Sequence, residues 1–314
     1  MNGVQNFSSN VYRNTSNKSI DGQNKNEDKK SKPGAKAITC GYLAGSAVSS
    51  IVGIPNVLLS PKLMQKMKNL SDSITPDELE QIEKTATNII KTSGLEEKGV
   101  SVIKATKDNV DEITKIFEKE ANKGILKYYP SPFKERVINN LTSAITECNN
   151  ASYTFASKKI VMPEKDMWLA FFHETGHAIN ANIGKTAKVL QKCRPMSLLV
   201  YPISMIALLK NKKAPDEQPK NSLDKATTFV KNNAGKLTFV SFLPLLVEEG
   251  LASIKGNSYA KKFLNPNLTK KVVKSNALGF STYLLMATLT GLGIFLGTNA
   301  RDFVVQNIQK ATEK

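Results

Sequence analysis

The feature that most constrains this chain is a run of 21 residues without a single charge, 277–297. At about 1.5 Å per residue a helix of that length spans about 30 Å, the thickness of a bilayer's hydrocarbon core. Lys270, Lys271 and Lys274 precede it and Arg301 follows. A second uncharged stretch, 37–60, has the same reach, with Pro55 expected to kink its end. Gly41 and Gly45, with Ala44 and Ala47, give it a small-residue face, and Gly293 and Gly297 repeat that spacing. Two such faces allow close backbone approach in lipid, so these candidate membrane helices are expected to pack on each other. Residues 298–314 read as a C-terminal tail, with Phe303, Val304 and Ile308 on one side.

Two shorter apolar runs, 195–209 and 237–247, flank a lysine-rich loop at 210–236. Each is too short for a full span, and Pro202 and Pro244 argue against two clean helices. The segment 195–247 is expected to form a shallow apolar hairpin or a core pair.

The remainder of 61–276 reads as a folded α+β domain, mostly helical. Thr75-Pro76-Asp77-Glu78 combines a Thr cap, a proline in the first turn and a Glu three residues on, which starts a helix expected to stop at Gly94. Leu79, Ile82, Ala86 and Ile89 form its apolar stripe. Residues 99–106 alternate like a strand. Asp108 is expected to cap a second helix that turns Val110, Ile113, Ile116 and Phe117 inward, and 133–148 reads as a third. Residues 150–163 read as a strand or hairpin.

Directly after that hairpin comes His173-Glu174-Thr-Gly-His177, set among Leu169, Phe171, Phe172, Ala178 and Ile179. On a helix, positions i and i+4 share a face, so both imidazoles can reach one metal. Glu174 lies beside them, placed to polarise a metal-bound water. The chain has 2 histidines and both lie in this motif. A four-coordinate catalytic zinc takes three protein ligands and a water. With no third histidine, a carboxylate must complete the set. Glu248 and Glu249 end an apolar run, where bare charge is costly unless paired or metal-bound. Glu249 is the expected ligand and Glu248 the fallback. Three residues beyond Glu249, Ala252 offers a small side chain against which the metal helix can pack. Tyr259 is the one further candidate, as a donor to a developing oxyanion.

Net charge is +17, carried mostly by lysine with few interleaved aromatics, so an anionic membrane surface is the expected partner and nucleic acid is not. Cys40, Cys148 and Cys193 are far apart and odd in number, which suits free thiols in a reducing compartment and not zinc ligands. Residues 1–36 are rich in Asn, Ser, Lys and Gln and are expected to be a disordered tail without signal-peptide character.

The order of these features resembles the membrane zinc metallopeptidases of the HtpX and CAAX prenyl protease type. There an HExxH helix, an apolar hairpin and an E-x-x-A-D motif follow one another, and here His173-Glu174-Thr-Gly-His177 is followed by Glu249-Gly-Leu-Ala252-Ser253. Asn150-Ala151 and the following Lys159-Ile-Val-Met resemble the strand that precedes the metal helix in that family. The resemblance covers about 75–260. It implies a zincin-like core, one zinc ion per chain held by His173, His177 and Glu249, Glu174 as catalytic base, and protein or peptide substrates. Ser253 stands where the family has an Asp that orients a zinc histidine, and a hydroxyl carries no charge for that task. That departure supports a rival reading, a membrane-anchored binding or scaffold protein with a structural or inactive HExxH site.

Overall fold

The computed structural model describes residues 33–312 except 124, 148–149 and 214–216, so most of the expected tail, and Cys148, lie outside the described residues. Of the described residues 79% are helical and 5% lie in strands, with a small mixed sheet.

The first helix, α1 (Ala35–Asp72), runs well past the expected 37–60 and takes in both Pro55 and Pro61. It gives way to α2 (Pro76–Thr92), where Thr75 and Glu78 form the reciprocal capping box and Gly94, at φ +72°, provides the stop. Then come β1 (Ser101–Ala105), α3 (Val110–Lys123), α4 (Ser131–Thr146), β2 (Ser152–Thr154) and β3 (Lys159–Pro163). Asp108 does not cap α3. It lies inside a 3-10 turn, Lys107–Asn109, which Thr106 caps together with Asn109. The Asn109 side chain accepts the Thr106 N–H and so closes that turn. The sheet order is β1-β3-β2, with β1 parallel and β2 antiparallel to β3, which leaves β2 as an edge strand.

A tight turn with Asp166 and Met167 in the left-handed region (φ 54° and 52°) leads into α5 (Ala170–Asn182). The main core forms here. Trp168, Leu169, Phe171 and Phe172 pack with Ile82, Ile89, Ile160 and Met162, tying α5 to α2 and the sheet.

The rest is helical: α6 (Lys185–Cys193), a 3-10 turn (Arg194–Leu199), α7 (Val200–Leu209), α8 (Ser222–Asn232), α9 (Ala234–Ser241), α10 (Leu243–Phe263) and α11 (Pro266–Thr312). The two runs expected to be short of a span are parts of longer helical stretches. Among the described residues, four stretches are long and apolar enough to cross a membrane: Ala35–Asp72, Lys185–Leu209, Ala234–Phe263 and Pro266–Thr312. Pro202 and Pro244 both sit in first turns, where the missing N–H breaks no helical bond.

The expected packing of α1 on α11 is present. A Cβ on Gly45 would fall 2.7 Å from the Gly297 carbonyl oxygen, and one on Gly293 would fall 3.1 Å from the Ser49 oxygen. The helix α11 continues to Thr312, through the described part of the expected tail, and its inward face there differs from the one expected. Phe303 is 68% exposed, whereas Arg301, Asp302 and Val305 are buried. The reason lies at the end of α7, whose last carbonyls lack helical partners. Arg301 donates to the oxygens of Leu208 (3.1 Å) and Leu209 (3.3 Å), and Lys231 donates to that of Ala207 (2.6 Å). Asp302 accepts from both cations, so the buried charges are paired.

Candidate metal centre

The centre is built where α5 crosses α10. Backbones approach so closely there that side chains are excluded. A Cβ on Gly176 would lie 2.0 Å from the Ala252 oxygen, and one on Gly256 would lie 2.3 Å from the Phe172 oxygen. Ala252, expected to permit this approach, is fully buried.

That crossing brings His173, His177 and Glu249 together, with one ligand atom from each within 4.8 Å of the others. His177 Nε2 lies 3.0 Å from His173 Nε2, Glu249 Oε2 lies 3.0 Å from His173 Nε2, and Glu249 Oε2 lies 3.4 Å from His177 Nε2. Zinc–ligand bonds of about 2.0–2.2 Å in tetrahedral array separate ligand atoms by about 3.4 Å. The donor set therefore fits a single divalent ion.

Both rings are held from behind. His177 Nδ1 lies 2.8 Å from Glu248 Oε1, and His173 Nδ1 lies 3.2 Å from Ser253 Oγ. Glu248, the fallback ligand, therefore orients a histidine and faces away from the three-atom cluster. Ser253 occupies the orienting position without the charge. The Asn180 amide also donates to Glu248, at 3.1 Å, and Lys255 in turn donates to Asn180 at 2.6 Å.

Glu174 is buried on α5, and its Oε2 accepts the Tyr153 N–H of β2 at 2.6 Å. Burial raises its pKa above the usual carboxylate range, while His177, His173 and the Tyr153 N–H pull the other way. Burial disfavours the charged form of His177, but the Glu248 and Glu249 carboxylates outweigh it and raise its pKa to about 10. A proton and a metal ion compete for that ring's nitrogen.

Two participants have no counterpart in the motif reading. Arg194 donates to Glu248 Oε2 (3.2 Å) and to Glu249 Oε1 (2.7 Å). Tyr283 of α11 lies within electrostatic reach of Glu249, Arg194, Glu174 and Glu248. Arg194 did carry a signal. Arginine is rare here, at positions 13, 136, 194 and 301 among 44 cationic residues, and two of the four sit in buried ion clusters. A planar fork suits such places better than an ammonium. Tyr259, in contrast, is not at the centre. It lies ten residues beyond Glu249 on α10, about 15 Å along the axis, and stacks on Phe263 with ring centres 6.3 Å apart. Cys40 and Cys193 are free thiols outside the cluster.

This arrangement can hold a divalent ion through two imidazoles and a carboxylate, with a second carboxylate alongside to exchange a proton. Compared with models of protein families, with curated proteins and with solved structures, the chain matches none, so the reading of the site rests on its geometry.

Proposed function

We propose that the chain is a membrane-associated zinc metalloendopeptidase with a zincin-like core. The observation that carries this reading is the convergence of His173 Nε2, His177 Nε2 and Glu249 Oε2 on one point, with the buried Glu174 on the same helix. Zinc fits this donor set better than magnesium or calcium, which favour all-oxygen ligands.

A bound zinc ion supplies Lewis acidity toward a peptide carbonyl and toward water. The residues of the chain do the rest. Glu174 is the proton carrier. Its Oε2 is fixed by the Tyr153 N–H, and its carboxylate takes a proton from the attacking water and returns it to the leaving amine. Burial raises its pKa, which favours holding the proton between the two halves of that task. Glu248 and Ser253 keep each ring's Nε2 turned inward. Edge strand β2 lies beside Glu174, and its Tyr153 N–H is the donor that holds that carboxylate in place.

Membrane association rests on the four apolar helical stretches. Leu43, Val57, Tyr201, Met205, Ile254 and Phe295 are exposed on them, and lipid is the solvent that suits such a surface. The substrates in this reading are proteins or peptides.

The test is Glu174→Gln in the full chain, assayed on a denatured protein substrate with and without added zinc. The expected result is unchanged zinc content and a rate reduced by about 10²–10⁴, the range of a lost general base. A variant that keeps its zinc and cleaves at the wild-type rate overturns the assignment of Glu174.

A further inference from the structure

Arg194 opens the 3-10 turn between α6 and α7, inside a helical stretch apolar enough to cross a membrane. An ionisable residue in such a place is costly unless it has a task. Its guanidinium turns back onto the metal centre. Nη1 donates to Glu248 Oε2 and Nη2 to Glu249 Oε1, at 3.2 and 2.7 Å. Both carboxylates are fully buried, while the arginine side chain keeps 32% of its surface exposed.

The four carboxylate oxygens are thus divided in pairs. The inner ones, Glu248 Oε1 and Glu249 Oε2, face histidine nitrogens, and the outer ones face Arg194. Glu249 on its own could offer both oxygens to an ion. With Oε1 held by a charge-assisted hydrogen bond, it offers one. We infer that Arg194 is a positioning residue that makes Glu249 a single-oxygen ligand and so keeps the remaining coordination position free for water or substrate. The inference rests on the metal reading above.

Charge balance points the same way. Glu174, Glu248 and Glu249 carry three negative charges when ionised, and Arg194 with a divalent ion neutralises them. A buried cluster with one charge unmatched is strongly disfavoured. Lysine is no substitute, because one ammonium cannot present two N–H groups in a fixed plane to two separate carboxylates. Arg194 also ties the apolar 3-10 turn and α7 to the centre, so displacement of that segment pulls on Glu249 directly.

Cobalt(II) tests this, because its visible absorption weakens several-fold when coordination rises from four to five. The full-length protein, Arg194→Ala and Arg194→Lys are each loaded with cobalt(II), and affinity is read by competition with a chelator. Arg194→Ala is expected to bind cobalt about 10–100-fold more weakly, the usual cost of losing a group that orients a ligand, with several-fold lower absorption per bound ion. Arg194→Lys is expected to recover part of the affinity and to keep the low absorption. If Arg194→Ala does not fold, Arg194→Lys decides the matter alone. Variants with the wild-type spectrum overturn the inference, even where affinity falls, because charge balance alone then explains the loss. A wild-type chain that takes no cobalt overturns the metal reading and this inference together.

Discussion

Glu248 and Glu249 are adjacent in sequence and address the same imidazole from opposite ends. Glu248 Oε1 lies 2.8 Å from His177 Nδ1, and Glu249 Oε2 lies 3.4 Å from His177 Nε2. Neighbours on a helix point about 100° apart. They reach both ends of one ring at the close approach of α10 to α5 that Gly176 and Gly256 allow. The acidic pair thereby divides two tasks, one residue facing the cluster of candidate ligand atoms and the other holding the ring.

That division predicts unequal costs. Removing the orienting charge in Glu248→Ala should weaken metal binding about 10–100-fold, because the Arg194 and Asn180 bonds to that carboxylate also vanish. Ser253→Ala removes one neutral contact at 3.2 Å and should cost less. Chelator competition on the two variants checks the order, and a larger loss for Ser253→Ala contradicts it.

The crossing itself makes a second prediction. In Gly176→Ala the new methyl meets backbone, the Ala252 oxygen at 2.0 Å, and backbone cannot swing away. The expected cost is about 1–3 kcal/mol or more, typical of overpacking, with loss of bound metal as α5 and α10 separate. Gly279→Ala is the control, since its nearest neighbour is the flexible Met67 terminus at 3.5 Å. Thermal unfolding in detergent should show a clear fall for the first variant and little change for the second.

A third prediction concerns pH. Burial lowers Lys231 to about 8, against the pull of Asp302. The folded chain then binds fewer protons at this site than the unfolded chain between about pH 8 and the ordinary lysine range near 10.4. Stability rises with pH wherever the unfolded state holds more protons. Between about pH 7.5 and pH 10, wild type should therefore gain on Lys231→Met by on the order of 1–3 kcal/mol. Denaturant unfolding at the two pH values measures the difference, and a wild type that loses ground as pH rises contradicts the assignment.

Local chemistry made much of this molecule legible. Thr75 and Glu78 announce α2, Gly94 ends it, and the repeated glycines of α1 and α11 announce their contact. The two histidines and Glu249 follow from helical spacing and from the cost of burying charge. The relations that local patterns do not carry are long-range. Arg194 meets Glu248 across 54 residues, and nothing in the intervening chain marks the return. The inward face of the α11 end follows from three carbonyls of α7, which no pattern within residues 298–314 records. Tyr259 is near Glu249 in sequence, but a helix carries a residue ten places on about 15 Å away. Tyr283, on the next helix, comes back alongside.

The central claim is that His173, His177 and Glu249 hold one metal ion. Elemental analysis of the full-length protein, purified in detergent and desalted, tests it most directly. About one zinc per chain is the predicted result, falling well below that in Glu249→Ala. A chain that carries no zinc, and still carries none after zinc is offered and the excess removed, would contradict the account and leave the two histidines as neighbours on a buried helix.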